Sequence, residues 1–408
     1  MTVLVPPDEP ESTGVGMPMI ISVDDHVLEP RDVWTSRLPA KYSEIGPRVV
    51  YAPRGEMALV DGAWQEQPGD GREMAAWWHY EDHRYQIKQM IAAAGLAPEE
   101  VTMKGVTYED MRPGCFDPAE RLADMTANHV QASLCFPNYP RFCGQLFAER
   151  SDMDLALLCV QAYNDWMVEE WCGGSAGRLI PLCIVPLWDV DLAVAEVRRN
   201  AERGVKALAW SELPAWLGLP SIVSGYWDPL FAECEENGTV ICMHIGSGTK
   251  VITPSDDAST VTAANMIAAN SAASMIDWLF SGKLVQFPEL QLMYAECQVG
   301  WIPYYIERAD DTWHTHQWAQ GETRLPEPPS HYYFRQIHSC FFKDDVGMAL
   351  LDRVGVDNVM FETDYPHQDG TYPNSRATAE ALFGHLDPTT VHKLARGNAI
   401  KLFDLPFD

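Results

Sequence analysis

The sequence is short of positive charge. Lys and Arg number 29 against 58 Asp and Glu, a formal net charge of −29 over 408 residues. Without a basic footprint, binding to nucleic acid or to an anionic membrane surface is not expected. Long apolar runs are also missing, so no membrane-spanning segment is expected. Residues 1–11 are acidic and proline-rich, unlike a basic, apolar export signal, and a cytoplasmic protein is the expectation. The ten cysteines include no Cys-x-x-Cys pair, which argues for reduced core thiols rather than a disulfide framework or a structural zinc site. No glycine-rich dinucleotide fingerprint follows the first strand, which weakens an open doubly wound sheet.

What is present begins with the apolar run Ile20-Ile21-Ser22-Val23, which ends in Asp24-Asp25-His26. It reads as a buried parallel strand. Side chains two apart on a strand share a face, so Asp24 and His26 project together from its carboxyl end, as two ligands of one metal would. Residues 1–18 read as an extended arm and 19–408 as one domain. Residues 32–107 show no regular alternation and fit an insertion capping the strand ends, in which His79 and His83 would share one face of an amphipathic helix.

From residue 116 the pattern becomes regular. Helices are expected over 119–128, 153–172, 192–203, 229–237, 265–280, 301–310 and 389–403, with strands over 130–137, 179–185, 205–210, 239–244, 290–296 and 356–364. Seven to eight repeats of strand and helix predict an α/β fold, a closed (β/α)8 TIM barrel. Function in such a barrel sits at the carboxyl ends of the strands, where His244, Glu296 and Asp364 join Asp24 and His26. Two imidazoles with carboxylates suit zinc, manganese or iron; one ion is favoured and two are possible. Nearby His367, and His79, could hold the substrate or support the site. Arg112 and Arg141 could pair with a substrate carboxylate or staple loops. His314 and His316 follow a helix rather than a strand and read as surface residues.

Asp24-x-His26, His244, Glu296 and Asp364-Tyr365-Pro366-His367, in that order, resemble the amidohydrolase superfamily in its aminocarboxymuconate-semialdehyde-decarboxylase-like branch. Gly105 to Gly114, Phe136-Pro137, Gly300-Trp301-Ile302-Pro303 and Gly397-Asn398-Ala399 extend the likeness over most of the chain. The resemblance implies metal ligands at Asp24, His26, His244 and Asp364, with Asp364 also handling protons. Glu296 departs from it, standing where many members have histidine; it would be a general base or a further metal ligand. The reaction implied is decarboxylation or hydrolysis of a small carboxylate-bearing substrate. Two alternatives stand beside it: a dinuclear iron or manganese oxygenase acting on a small amino acid, and a non-catalytic barrel subunit of a hetero-oligomer. Self-association, as a homo- or hetero-oligomer, is implied by the resemblance alone.

Overall fold

The computed structural model describes residues 16–60, 63–67, 71–255, 257–319, 321 and 324–408, with backbone only for 56–60 and 63–67. Most of the expected N-terminal arm therefore lies outside the described residues. The strands, in chain order, are β1 (Ile20–Val27), β2 (Arg48–Pro53), β3 (Glu56–Val60), β4 (Ala63–Gln67), β5 (Met74–Tyr80), β6 (His83–Gln86) and β7 (Val130–Pro137). They continue with β8 (Leu179–Ile180), β9 (Leu182–Cys183), β10 (Ala207–Trp210), β11 (Val240–His244), β12 (Leu292–Ala295), β13 (Ile337–Phe341) and β14 (Val359–Phe361).

Two parallel ladders form the centre, one running β1-β7-β8 and the other β9 through β14 in sequence order. They meet at both seams. Pro181 separates β8 from β9 within one extended segment; having no N–H, proline interrupts a ladder there. At the other seam Asp364 N donates to Asp24 O (2.9 Å) and His26 N donates to Tyr365 O (2.6 Å), so the chain leaving β14 runs beside β1. The eight parallel segments thus follow one another around a (β/α)8 barrel. Strands covered on both faces need apolar side chains on both, and β1, β10, β11 and β12 are buried at every position.

Some of the intervening helices start at a capping acid. Asp117 accepts from Ala119 N and Glu120 N ahead of the helix Pro118–Ala127, and Asp189 does the same ahead of Val190–Ala201. Two long helices expected as continuous are interrupted. A π-helical turn at Met167–Trp171 follows Met153–Trp166, and another at Lys393–Gly397 splits the last helix. The strand β13 was not anticipated: it follows the helix Pro329–Gln336 without a loop, and His338 and Ser339 break its apolar run.

Between β1 and β7 lies an antiparallel unit. Strands β2, β5 and β6 form one sheet, and β3 pairs with β4. The amphipathic helix expected to carry His79 and His83 is instead the β5–β6 hairpin, which turns at Glu81 and Asp82. Glu81 takes a left-handed φ of 47° without being Gly or Asn. Its carboxylate accepts from Ser151 N, Ser151 Oγ and Asp152 N, so a contact far along the chain holds the turn that local sequence does not announce. The unit docks on the barrel through aromatic rings. Trp78 stacks on Tyr139 (4.6 Å, 20°) and meets Trp34 edge-on (5.1 Å), pairs each adding about 1 kcal/mol beyond burial. The adjoining segment reaches the strand-end loops directly, with Ala93 N donating to Pro366 O (2.8 Å) and Gln368 N to Met90 O (3.0 Å).

Candidate metal centre

Strand β1 sends alternate side chains to opposite faces, and its two acids therefore part company. Asp24 and His26 face the barrel axis. Asp25 faces outward and ties the strand to its neighbours: Ser133 Oγ of β7 donates to one carboxylate oxygen, while Thr363 Oγ1 (2.5 Å) and Tyr365 N (2.9 Å) donate to the other. Arg121, fully buried, donates to His26 O (2.5 Å) and Gly114 O (2.7 Å), with its guanidinium 4.2 Å from the Tyr365 ring centroid. These contacts fix the end of β1 from behind.

The remaining side chains arrive from other strand ends. His244 is the last residue of β11, and Gly246, with a φ of 77°, turns the chain sharply after it. Glu296 lies one residue past β12 and Asp364 three past β14, both in the left-handed region at 55° and 49°. Backbone of this kind costs about 1–3 kcal/mol per residue and persists where surrounding structure holds it. Asp364 is held by its N–H bond to Asp24 O, Glu296 by its N–H bond to Glu362 Oε2 (3.2 Å).

The side-chain atoms converge tightly. His26 Nε2 stands 3.0 Å from His244 Nε2, 3.7 Å from Asp24 Oδ1 and 3.5 Å from Asp364 Oδ1. His244 Nε2 is 3.5 Å from Asp24 Oδ2 and 3.3 Å from Glu296 Oε2. His244 Nδ1 donates to Ile245 O (2.7 Å), which leaves the lone pair on Nε2, pointing at this group. Phe142 stacks on His244 (4.1 Å) and His367 on His26 (3.7 Å).

Charge in this pocket is poorly served by the protein itself. All four oxygens of Asp24 and Asp364 are buried without a hydrogen-bond donor. Burial first, and then the neighbouring acids Glu362, Asp364 and Glu296, push the Asp24 carboxyl well above its usual range. Asp364 and Glu296 move the same way for the same causes. Burial drives His244 down to about 3 and lowers His26 as well, so both imidazoles are neutral. Neutral imidazoles with free lone pairs beside undonated carboxylates are what a divalent cation requires, and a cation would draw the carboxyls that bind it, those of Asp24 and Glu296, back to their ionised forms. Asp24, His26, His244 and Glu296 each offer an atom to one such position, with Asp364 and His367 meeting the same His26.

His367 Nδ1 lies 3.1 Å from Asp364 Oδ1, and its Nε2 lies 3.2 Å from Asn138 Oδ1. The Asn138 amide is oriented by donation from Nδ2 to Val27 O (3.2 Å), which presents Oδ1 to a proton on His367 Nε2. Nδ1 is then left to accept. The structure brings Asn138, Glu362 and Cys340 to the centre, none of which sequence reading singled out. Glu362 has the better signal: an acid two residues before Asp364 on the same strand end shares its parity.

Other expected participants lie elsewhere. His79 stands on β5 opposite Arg48 and beside Arg84 of β6, on the face away from buried Trp78 and Tyr80 and outside the converging group. Arg112 is taken up by Asp124 (2.6 and 2.7 Å) and Arg141 by Glu149 (2.5 and 3.0 Å), the staple reading of each. His314 and His316 are exposed at the end of the helix Ile302–Thr315. All ten cysteines are free thiols.

Solved structures share the architecture at low identity. An amidohydrolase from Mycobacterium avium subsp. paratuberculosis K-10 superposes with a TM-score of 0.69 at 21% identity, over 95% of this chain and 99% of that one. The 2,6-dihydroxybenzoate decarboxylase from Rhizobium gives 0.60 at 16%, over 95% and 99%. The 5-carboxyvanillate decarboxylase from Novosphingobium aromaticivorans, solved with manganese and 4-hydroxy-3-methoxy-5-nitrobenzoic acid, gives 0.58 at 19%, over 71% and 81%. At these identities the likeness speaks to the fold. No curated protein matches the sequence. The amidohydrolase family model matches residues 52–405, and the chain belongs to that family.

Proposed function

We propose that this protein is a divalent-metal-dependent decarboxylase of small carboxylates bearing a neighbouring oxygen, with carboxylated phenols the first candidates. The observation that carries the reading is the convergence of His26, His244, Asp24, Glu296 and Asp364 on one buried point, with carboxylate oxygens that no protein group satisfies. Neighbours that decarboxylate hydroxybenzoates, one solved with manganese, support the reaction class and that metal, with zinc and iron the other candidates. One ion bound among these residues would supply the positive charge that holds the substrate's carboxylate and adjacent oxygen.

The protein's own groups then handle the proton. Asp364, raised by its dry and acidic surroundings, holds a proton against the His367 Nδ1 acceptor. It delivers that proton to the carbon bearing the carboxylate; the carbon–carbon bond breaks, carbon dioxide leaves, and the bonding pair restores the ring. A proton from solvent taken up by His367 gives a transient imidazolium whose Nδ1–H returns Asp364 to its protonated form, and burial restores the neutral ring. Phe136 and Phe142 beside the imidazoles offer an apolar wall to an aromatic substrate. The acidic surface fits a cytoplasmic enzyme, and exposed Tyr304 (68%) and Trp318 (82%) fit self-association.

A second reading, oxidation at two iron or manganese ions, draws on Glu296, which adds a carboxylate to the ligand group. The two separate cleanly. Manganese-loaded protein offered a panel of hydroxybenzoates is expected to release carbon dioxide, and chelator-treated protein is not. Consumption of dioxygen with hydroxylated product, or hydrolysis of a lactone without carbon dioxide, overturns the decarboxylase reading.

A further inference from the structure

Directly beneath the converging imidazoles a second group of ligands meets. Cys340 on β13, Glu362 just past β14 and Asp24 on β1 each present an atom within 4.8 Å of the others, and all three residues are buried. Glu362 Oε1 receives no N–H or hydroxyl of the protein although its side chain is fully buried, and the Asp24 carboxyl, likewise undonated, lies within hydrogen-bond reach of the Glu362 carboxyl. The Cys340 thiol contacts Glu362 Oε2 and also lies 3.4 Å from Tyr294 O, with no basic group beside it. A thiol on an inward strand position normally faces apolar side chains; this one faces two acids.

Asp24, Glu296, Glu362 and Asp364 bring four carboxyl groups to one pocket, and two of them, Asp24 and Glu362, lie beside the Cys340 thiol; a cation there would take the thiolate as a ligand, with loss of its proton to solvent. We propose that Asp24, Glu362 and Cys340 form a second, water-excluded cation site, with Asp24 shared between it and the upper site. Sulfur with carboxylate oxygen selects a thiophilic ion such as zinc or iron(II) over manganese or magnesium. The shared Asp24 would fix the upper ligands, a structural role that leaves substrate chemistry to the upper ion. This inference rests on the metal-dependent reading above and adds a second position to it.

Cobalt(II) tests the idea because a thiolate bound to it gives a near-ultraviolet charge-transfer band that carboxylate and imidazole ligands do not. Full-length protein stripped with chelator and titrated with cobalt(II) is expected to bind two equivalents, with the sulfur band growing as the lower site fills. Cys340→Ser should lose the band entirely and Glu362→Gln should drop the stoichiometry to one, with His244→Ala keeping the band. Should these variants fold poorly, the native titration decides alone: one equivalent and no sulfur band overturns the second site and leaves the upper one intact. Native protein that binds no cobalt overturns both readings, and two equivalents retained without the band in native protein place the second ion elsewhere.

Discussion

Arg121→Met asks how much the metal-bearing end of β1 depends on a buried cation behind it. Arg121 is fully buried and donates to two backbone carbonyls, one of them His26 O, and it lowers the carboxyl of Asp25, which burial alone would raise. Removing one partner of a buried charge pair, with its hydrogen bonds lost and the other charge left uncompensated, costs about 3–5 kcal/mol in all. Asp25→Asn alone disturbs the bonds from Ser133, Thr363 and Tyr365 N and should cost about 1–3 kcal/mol. The double variant removes both charges together, so its loss should fall short of the sum by about 1–2 kcal/mol. Urea unfolding of native protein, both single variants and the double variant, followed by far-ultraviolet circular dichroism, measures all three. Strict additivity, or an Arg121→Met loss below about 1 kcal/mol, refutes the assignment of Arg121 as the charge that holds β1 in place.

Further consequences follow from other residues. His244→Ala should weaken the upper ion at least about 100-fold in a calorimetric titration, since it deletes a ligand outright; unchanged affinity would remove His244 from the site. Asp364→Asn should retain bound metal while the decarboxylation rate falls by about 10²–10⁴-fold, the usual range for a lost proton donor; a comparable rate would assign the proton elsewhere. Asn138→Ala should lower kcat with little change in KM, because it frees the His367 ring whose Nε2 it orients; a change confined to KM would contradict that role. Glu212, 2% exposed, accepts from Gly246 N, Asn270 and Ser271, and burial pushes its carboxyl up to about 7. A carboxyl raised on folding favours the fold while protonated, so its contribution is lost as pH rises from about 4.5 to about 7. Relative to native protein, Glu212→Gln should therefore gain up to about 3 kcal/mol between about pH 5 and pH 8. A pH-independent difference in urea midpoints would contradict this.

How far the sequence carried the reading depends on how local each signal was. Strand ends marked by an abrupt switch from apolar to polar residues were readable, and Asp24, His26, His244, Glu296 and Asp364 all sit at such switches. The barrel was readable from its alternation, even though Pro181 splits one strand in two. Strand β13 was not, because His338 and Ser339 interrupt its apolar run and no turn residues precede it. The hairpin at Glu81 was hidden for a different reason: its turn is stabilised by Ser151 and Asp152, some seventy residues downstream, rather than by glycine or asparagine. Its Trp78 and Tyr80 alternate into the core, but His79 and His83, four residues apart, mimic a helical spacing. Asn138 and Cys340 acquire meaning only from partners brought by folding, Val27 O and His367 for one, Glu362 and Asp24 for the other.

Metal content tests the central claim most directly. Full-length protein purified without added chelator and analysed for zinc, manganese and iron should carry at least one divalent ion per chain, and the His26→Ala/His244→Ala double variant, folded by circular dichroism, should carry none at the upper site. Native protein that is free of metal as purified, and that takes up no manganese or zinc at millimolar concentration, would contradict the account.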